Sequence, residues 1–87
     1  MFIVELAFTA SAERLVARPA HREFLARLHQ EGRLVAAGPW ANDTGAMLIF
    51  DVKREDLDRI LDSDPYYRVA GVEIVRVCEW MLVVGPR

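Results

Sequence analysis

The stretch from Arg18 to Trp40, RPAHREFLARLHQEGRLVAAGPW, restricts the folds open to this chain more than any other. Pro19 suits the first position of a helix, where its missing N–H costs nothing. Arg18, before it, is pushed toward an extended or turn conformation. The spacing then predicts a helix from about Pro19 to Glu31, ended by Gly32. His21, Phe24, Leu25 and Leu28 recur at i, i+3, i+4 and i+7 and share one face, with Arg22, Arg27, Gln30 and Glu31 largely away from it. Arg33 to Ala37 reads as a strand closed by a turn at Gly38-Pro39. A helix with one apolar stripe needs a sheet to lie on, and this one carries His21 toward that sheet.

The flanking segments supply the sheet. In Phe2 to Thr9, Phe2, Val4, Leu6 and Phe8 alternate with Ile3, Glu5, Ala7 and Thr9, a period of two rich in β-branched and aromatic residues. Both faces are largely apolar, which suits a central strand. Ser11 can cap a short helical turn through Ala17. After the turn cluster Ala41 to Gly45, Ala46 to Val52 reads as a strand in an antiparallel hairpin with Arg33 to Ala37. Lys53 to Leu61 reads as a second helix with Leu57, Ile60 and Leu61 as its stripe. Ser63-Asp64-Pro65 breaks it, and Asp64 is placed to cap a short turn over Pro65 to Val69. Gly71 leads into a long final strand, Val72 to Val84. The order β-α-β-β-α-β is the ferredoxin-like α+β arrangement, a four-stranded antiparallel sheet with both helices on one face. Residues 1–87 read as a single domain.

Apolar residues make up 53% of the 87, which is high for so small a domain. Cys78 is the only cysteine, so no internal disulfide is available. Oligomerisation is the remaining way to bury more surface, and a second copy packed sheet to sheet is the simplest cover. The formal net charge is −2 with signs interspersed, so the basic stripe of a nucleic-acid binder is missing. No apolar run approaches the roughly 20 residues of a membrane span. The strand-like start and lone cysteine lead us to expect a cytoplasmic protein.

His21 is the strongest candidate for chemistry, because an imidazole transfers protons near neutral pH; the alternative is a core histidine satisfied by a backbone carbonyl. Asp64 is second. One oxygen can cap the Pro65 turn while the other faces a histidine, which would orient the ring and raise its basicity. Arg18 could hold an anionic substrate or make a surface ion pair. Trp40 could wall a pocket or simply pack, and backbone near Gly38 could meet an oxyanion. Tyr66 and Tyr67 could present a hydroxyl near Asp64 or pack. Glu5 and Glu79 line the sheet or reach solvent at its edge, and Cys78 reads as a small buried strand residue. His21 and His29 lack metal-ligand spacing, and no phosphate-binding glycine loop is present, so neither metal nor cofactor is expected.

The blocks RLVARPAH, from Arg14 to His21, and LHQEGRLVAAGP, from Leu28 to Pro39, with Asp64-Pro65-Tyr66 and then Gly71, closely resemble the YciI-like (YCII-related) family across nearly the whole chain. The resemblance implies a ferredoxin-like dimeric α+β barrel, a fold shared with muconolactone isomerase. It also implies a His-Asp pair in a cleft, which falls on His21 and Asp64. One resembling branch dehalogenates a chlorinated hydroxyquinol. The connection from Trp40 to Gly45 is shorter here than in many members. Two readings follow. One is a cofactor-free isomerase or lyase acting on a small, oxygenated, cyclic compound, with Arg18, Gly38, Trp40 and Tyr66 as substrate contacts. The other is a non-catalytic module that binds a small ligand or a protein.

Overall fold

In the computed structural model, residues 1–85 are described; the last two positions of the 1–87 span lie outside them. Four strands, β1 (Phe2–Phe8), β2 (Leu34–Pro39), β3 (Gly45–Phe50) and β4 (Val72–Glu79), alternate with α1 (Ala12–Gln30) and α2 (Arg54–Ser63) in the order β-α-β-β-α-β. A 3-10 turn, Pro65–Arg68, joins α2 to β4. The sheet order is β2-β3-β1-β4 with every pairing antiparallel, the ferredoxin-like topology.

Alternation decides which side chains face the helices. Val4 and Leu6 of β1, with Ala46, Leu48 and Phe50 of β3, are buried against Leu28 of α1, Leu57 and Ile60 of α2, and Tyr66 and Tyr67. Ile3, Glu5, Ala7, Met47 and Ile49 point the other way. Arg76 of β4 stands opposite Glu5, to which it donates a hydrogen bond of 2.9 Å, and Cys78 stands opposite Ile3. Cys78 therefore lies on the outer face and is half-buried in the single chain, less enclosed than the small buried strand residue that the sequence suggests. Val75 is the extra residue of a bulge in the β1–β4 ladder.

Besides two-residue shifts at the ends of β3 (Phe50, not Val52) and α2 (Ser63, not Leu61), three features differ from the sequence reading. First, α1 is one helix of 19 residues with Pro19 inside it, so Ser11 to Ala17 is no separate turn and Arg18 is helical. Pro19 has no N–H for the Leu15 carbonyl, but both residues are exposed, on the side away from the core. Ser11 caps the whole helix, its Oγ accepting from Arg14 N–H at 3.2 Å and donating to the Ala70 carbonyl at 2.5 Å. Gly32 ends the segment at φ +76°. Second, β2 runs through Gly38-Pro39, where a turn was expected. It is an edge strand, which tolerates a proline, and an irregularity after Leu34 carries the pairing on to Pro39 opposite Ala46. Third, β4 stops at Glu79 and not at Val84. Glu79 pairs with Phe2, the first residue of β1, and Trp80 N–H donates to Met1 O at 2.7 Å, where the β1–β4 ladder ends. No helix of the described residues is long and apolar enough to cross a membrane.

Candidate functional site

The buried residues of α1 are Arg14, His21 and Leu28, spaced by seven and so nearly in line along one face. His21 is 6% exposed and faces the turn after α2, where Asp64 is 5% exposed. His21 Nδ1 lies 2.6 Å from Asp64 Oδ2. A carboxylate oxygen only accepts, so Nδ1–H is the donor and Nε2 keeps its lone pair. Asp64 Oδ1 accepts the Tyr66 N–H at 3.0 Å. The carboxylate thus caps the Pro65 turn and orients the imidazole at once, because Pro65 fixes the backbone direction just where the helix ends.

Aromatic rings enclose the pair. Tyr66 stacks face to face on His21, with centroids 3.9 Å apart and planes 8° from parallel, and Tyr67 meets the imidazole edge-on at 5.4 Å. Burial lowers the His21 pKa below its ordinary value; the Asp64 hydrogen bond and charge push against this, and Arg22 adds to it. The ring is therefore neutral at pH 7 and able to accept a proton at Nε2, which makes no hydrogen bond among the described residues. Burial, helped by Asp64 and Tyr66, pushes the Tyr67 phenol far above its usual range, so it remains a hydroxyl. That hydroxyl is buried without a partner among the described residues.

Beside this cluster an open cleft of about 690 Å³ runs between α1 and the β2–β3 edge. Arg22, Leu25 and His29 line it from the helix, and Phe8, Ala37, Leu48 and Asp43 from the sheet side. Small side chains at Ala37 and Gly38 keep β2 from filling it. His21 and Asp64 stand one aromatic layer behind it, since Tyr66 contacts the cleft residue Phe8 edge-on at 6.3 Å. A smaller crevice of about 370 Å³ reaches Asp64 past Ala20, Phe24, Arg27, Ser63 and Pro65.

The sequence candidates thus separate. His21, Asp64 and Tyr66 come together, and Gly38 lines the cleft. Arg18 is half-buried on α1 and lines neither cavity. Trp40 is exposed and packs over Gly45, where a Cβ would meet both the Trp40 ring and the Leu6 carbonyl. Sequence reasoning passed over Arg14, which is 7% exposed, and Asp43, which accepts its NH2 at 3.0 Å. The seven-residue spacing to His21 was the available signal. Among the described residues no three histidine, cysteine or acidic side chains cluster as metal ligands.

A sequence model of the YCII-related domain matches residues 1–81. Protein YciI of Escherichia coli O6:H1 is 38% identical over 76 residues, covering 75% of this chain and 78% of that protein. Protein YciI of Shigella flexneri matches to the same extent. Among solved structures, the 5-chloro-2-hydroxyhydroquinone dehydrochlorinase of Burkholderia phenoliruptrix AC1100, in complex with 2,5-dihydroxybenzoquinone, superposes with a TM-score of 0.61. The two chains are 17% identical, with 93% of this chain and 94% of that one covered, a likeness of fold.

Proposed function

The chain belongs to the YCII-related family, and from that premise we propose that it is an enzyme that moves a proton on a small, oxygenated ring compound. The observation that carries this reading is the buried His21–Asp64 hydrogen bond of 2.6 Å, which leaves a neutral imidazole with Nε2 unbonded. In the proposed step Nε2 takes a proton from a ring carbon next to a carbonyl, or from a ring hydroxyl, and the electron pair moves onto oxygen. Asp64 stabilises the imidazolium that results. Returning the proton to another carbon completes an isomerisation; loss of a leaving group from the neighbouring carbon completes an elimination. The fold neighbour named as a dehydrochlorinase, solved with a quinone, supports the second outcome as a chemistry this architecture can host.

The test is deuterium transfer. A butenolide such as α-angelica lactone, and 5-chloro-2-hydroxyhydroquinone, would be incubated with the protein in D2O and followed by NMR. We expect deuterium incorporation, double-bond migration or chloride release with wild type. His21→Ala should lower the rate by about 100-fold or more in protein that circular dichroism shows to be still folded at the assay temperature. Equal rates in the two proteins would remove His21 from the chemistry.

One observation favours a second reading. Neither His21 nor Asp64 lines the larger cleft, so that cleft could hold a ligand without transforming it. Ligand binding that survives His21→Ala, with no chemical change in the ligand, would favour it.

A further inference from the structure

The His21–Asp64 pair leaves unused a buried cation two helical turns away. Arg14 is 7% exposed, and its guanidinium lies 4.4 Å over the Phe8 ring. Its NH2 donates to Asp43 Oδ2 at 3.0 Å, while Nε is buried and has no partner among the described residues. Burial works against the charge, and the Asp43 carboxylate with the Tyr66 phenol more than offsets it, so the guanidinium stays charged.

The counter-ion is unusual for so buried a cation. Asp43 comes from the Trp40–Gly45 connection, its side chain is 49% exposed, and its backbone sits at φ +57°. Asp43 and Phe8 both line the large cleft, so Arg14 stands directly behind that wall. A buried guanidinium cannot be left without an anion, but it does not distinguish one carboxylate from another. Asp43 engages NH2 alone, whereas a planar carboxylate can take a guanidinium side-on through Nε and NH2 together. A ligand carboxylate would therefore satisfy the donor that Asp43 leaves unmet.

We propose that Arg14 is the anion-binding residue of this cleft, that its ligand is a small cyclic compound bearing a carboxylate or an ionised enol, and that Asp43 is an internal stand-in displaced when the ligand binds. The cleft volume of about 690 Å³ suits a single ring, and Leu25, Leu34, Ala46 and Leu48 give that ring apolar walls. Arg14 and His21 lie on one face of α1, roughly 10 Å apart along the axis. The proposal deepens the acid–base reading by fixing the ligand's charge, and rests on it for the choice of cleft.

The test is an NMR titration of ¹⁵N-labelled protein with sodium benzoate, with neutral benzamide as comparator. Benzoate should shift the Arg14 Nε–H and the Phe8 and Thr44 amides saturably. Asp43→Asn keeps a residue that tolerates positive φ but removes the charge. If Asp43 occupies the guanidinium about nine-tenths of the time, benzoate should bind the variant about tenfold more tightly. Benzamide affinity should not change. Arg14→Gln should abolish the benzoate response; should that variant fail to fold, the Asp43→Asn comparison decides alone. Unchanged or weaker benzoate binding in Asp43→Asn, or equal responses to both probes, would overturn the proposal. These measurements read binding only. A protein that binds benzoate as described but transfers no deuterium keeps the anion site and loses the enzyme reading, and the converse result does the reverse.

Discussion

At the scale of single residues, the buried histidine ties stability to pH. In the unfolded chain His21 takes a proton near its ordinary value of 6.5; in the fold, burial holds its pKa lower despite Asp64. Between those two values the unfolded chain binds more protons, so stability rises with pH. The His21 contribution is fully present above about pH 6.5 and is lost as pH falls toward and through the folded value. The slope from one such group is at most about 1.4 kcal/mol per pH unit. Urea unfolding at pH 7.5, 6.5 and 5.5 should show a progressive loss of stability toward acid in wild type, bounded by that slope, that is absent in His21→Gln. Parallel pH dependence in the two proteins would assign the acid sensitivity to other groups. Tyr66, stacked on the imidazole, and the unpartnered Tyr67 hydroxyl belong to the same desolvated cluster, so their rings help hold His21 neutral.

At the scale of elements, α1 does most of the positioning. Its N-terminus is set by Ser11, whose hydroxyl caps Arg14 N–H and reaches the Ala70 carbonyl just before β4. Ser11→Ala should cost about 1–2 kcal/mol, near the upper end for a cap, because it also severs the tie to that loop. A change of only a few tenths in the urea midpoint-derived stability would mean that solvent replaces both bonds. The same helix shows what the sequence could and could not reveal. Strand alternation and the Gly32 stop were legible because they are local: each depends on residues within a turn or a pleat of one another. The α1 start was not, because Pro19 has the chemistry of a first helical residue and nothing local shows that Leu15 faces solvent, where a missing hydrogen bond is tolerable. Splitting the helix there broke the register from Arg14 to His21 and hid Arg14. The end of β4 was not legible either, since it depends on where β1 begins. His21 and Asp64 were each visible as candidates and their chemistry suggested a pairing, but their meeting spans 43 residues and no local periodicity encodes it; the likeness to a known family is what strengthened it.

For the molecule as a whole, the two faces of one sheet have different jobs. The helix face holds the core, the His21–Asp64 pair and the cleft. The outer face carries Ile3, Met47, Ile49 and Cys78, each half-buried in the single chain, around the Glu5–Arg76 ion pair. A domain of this size gains little stability from its core alone, and an apolar sheet face left in water invites self-association. The Glu5–Arg76 pair fits a two-fold contact, because an isologous interface repeats each charge with its opposite within reach. We therefore expect wild type to sediment as a dimer at tens of micromolar, through this face. Ile49→Asp places a charge in the middle of it, away from the helices and the cleft, and should yield a folded monomer. A wild-type monomer in analytical ultracentrifugation would remove the dimer. A dimer that persists in Ile49→Asp would move the interface, and the exposed apolar run Trp80, Met81, Val83 and Val84 beyond β4 would be the next surface to charge. Because cleft and outer face lie on opposite sides of the sheet, a monomeric Ile49→Asp that still binds benzoate would show that the anion site is complete within one chain. Loss of both properties together would mean that the partner copy completes it.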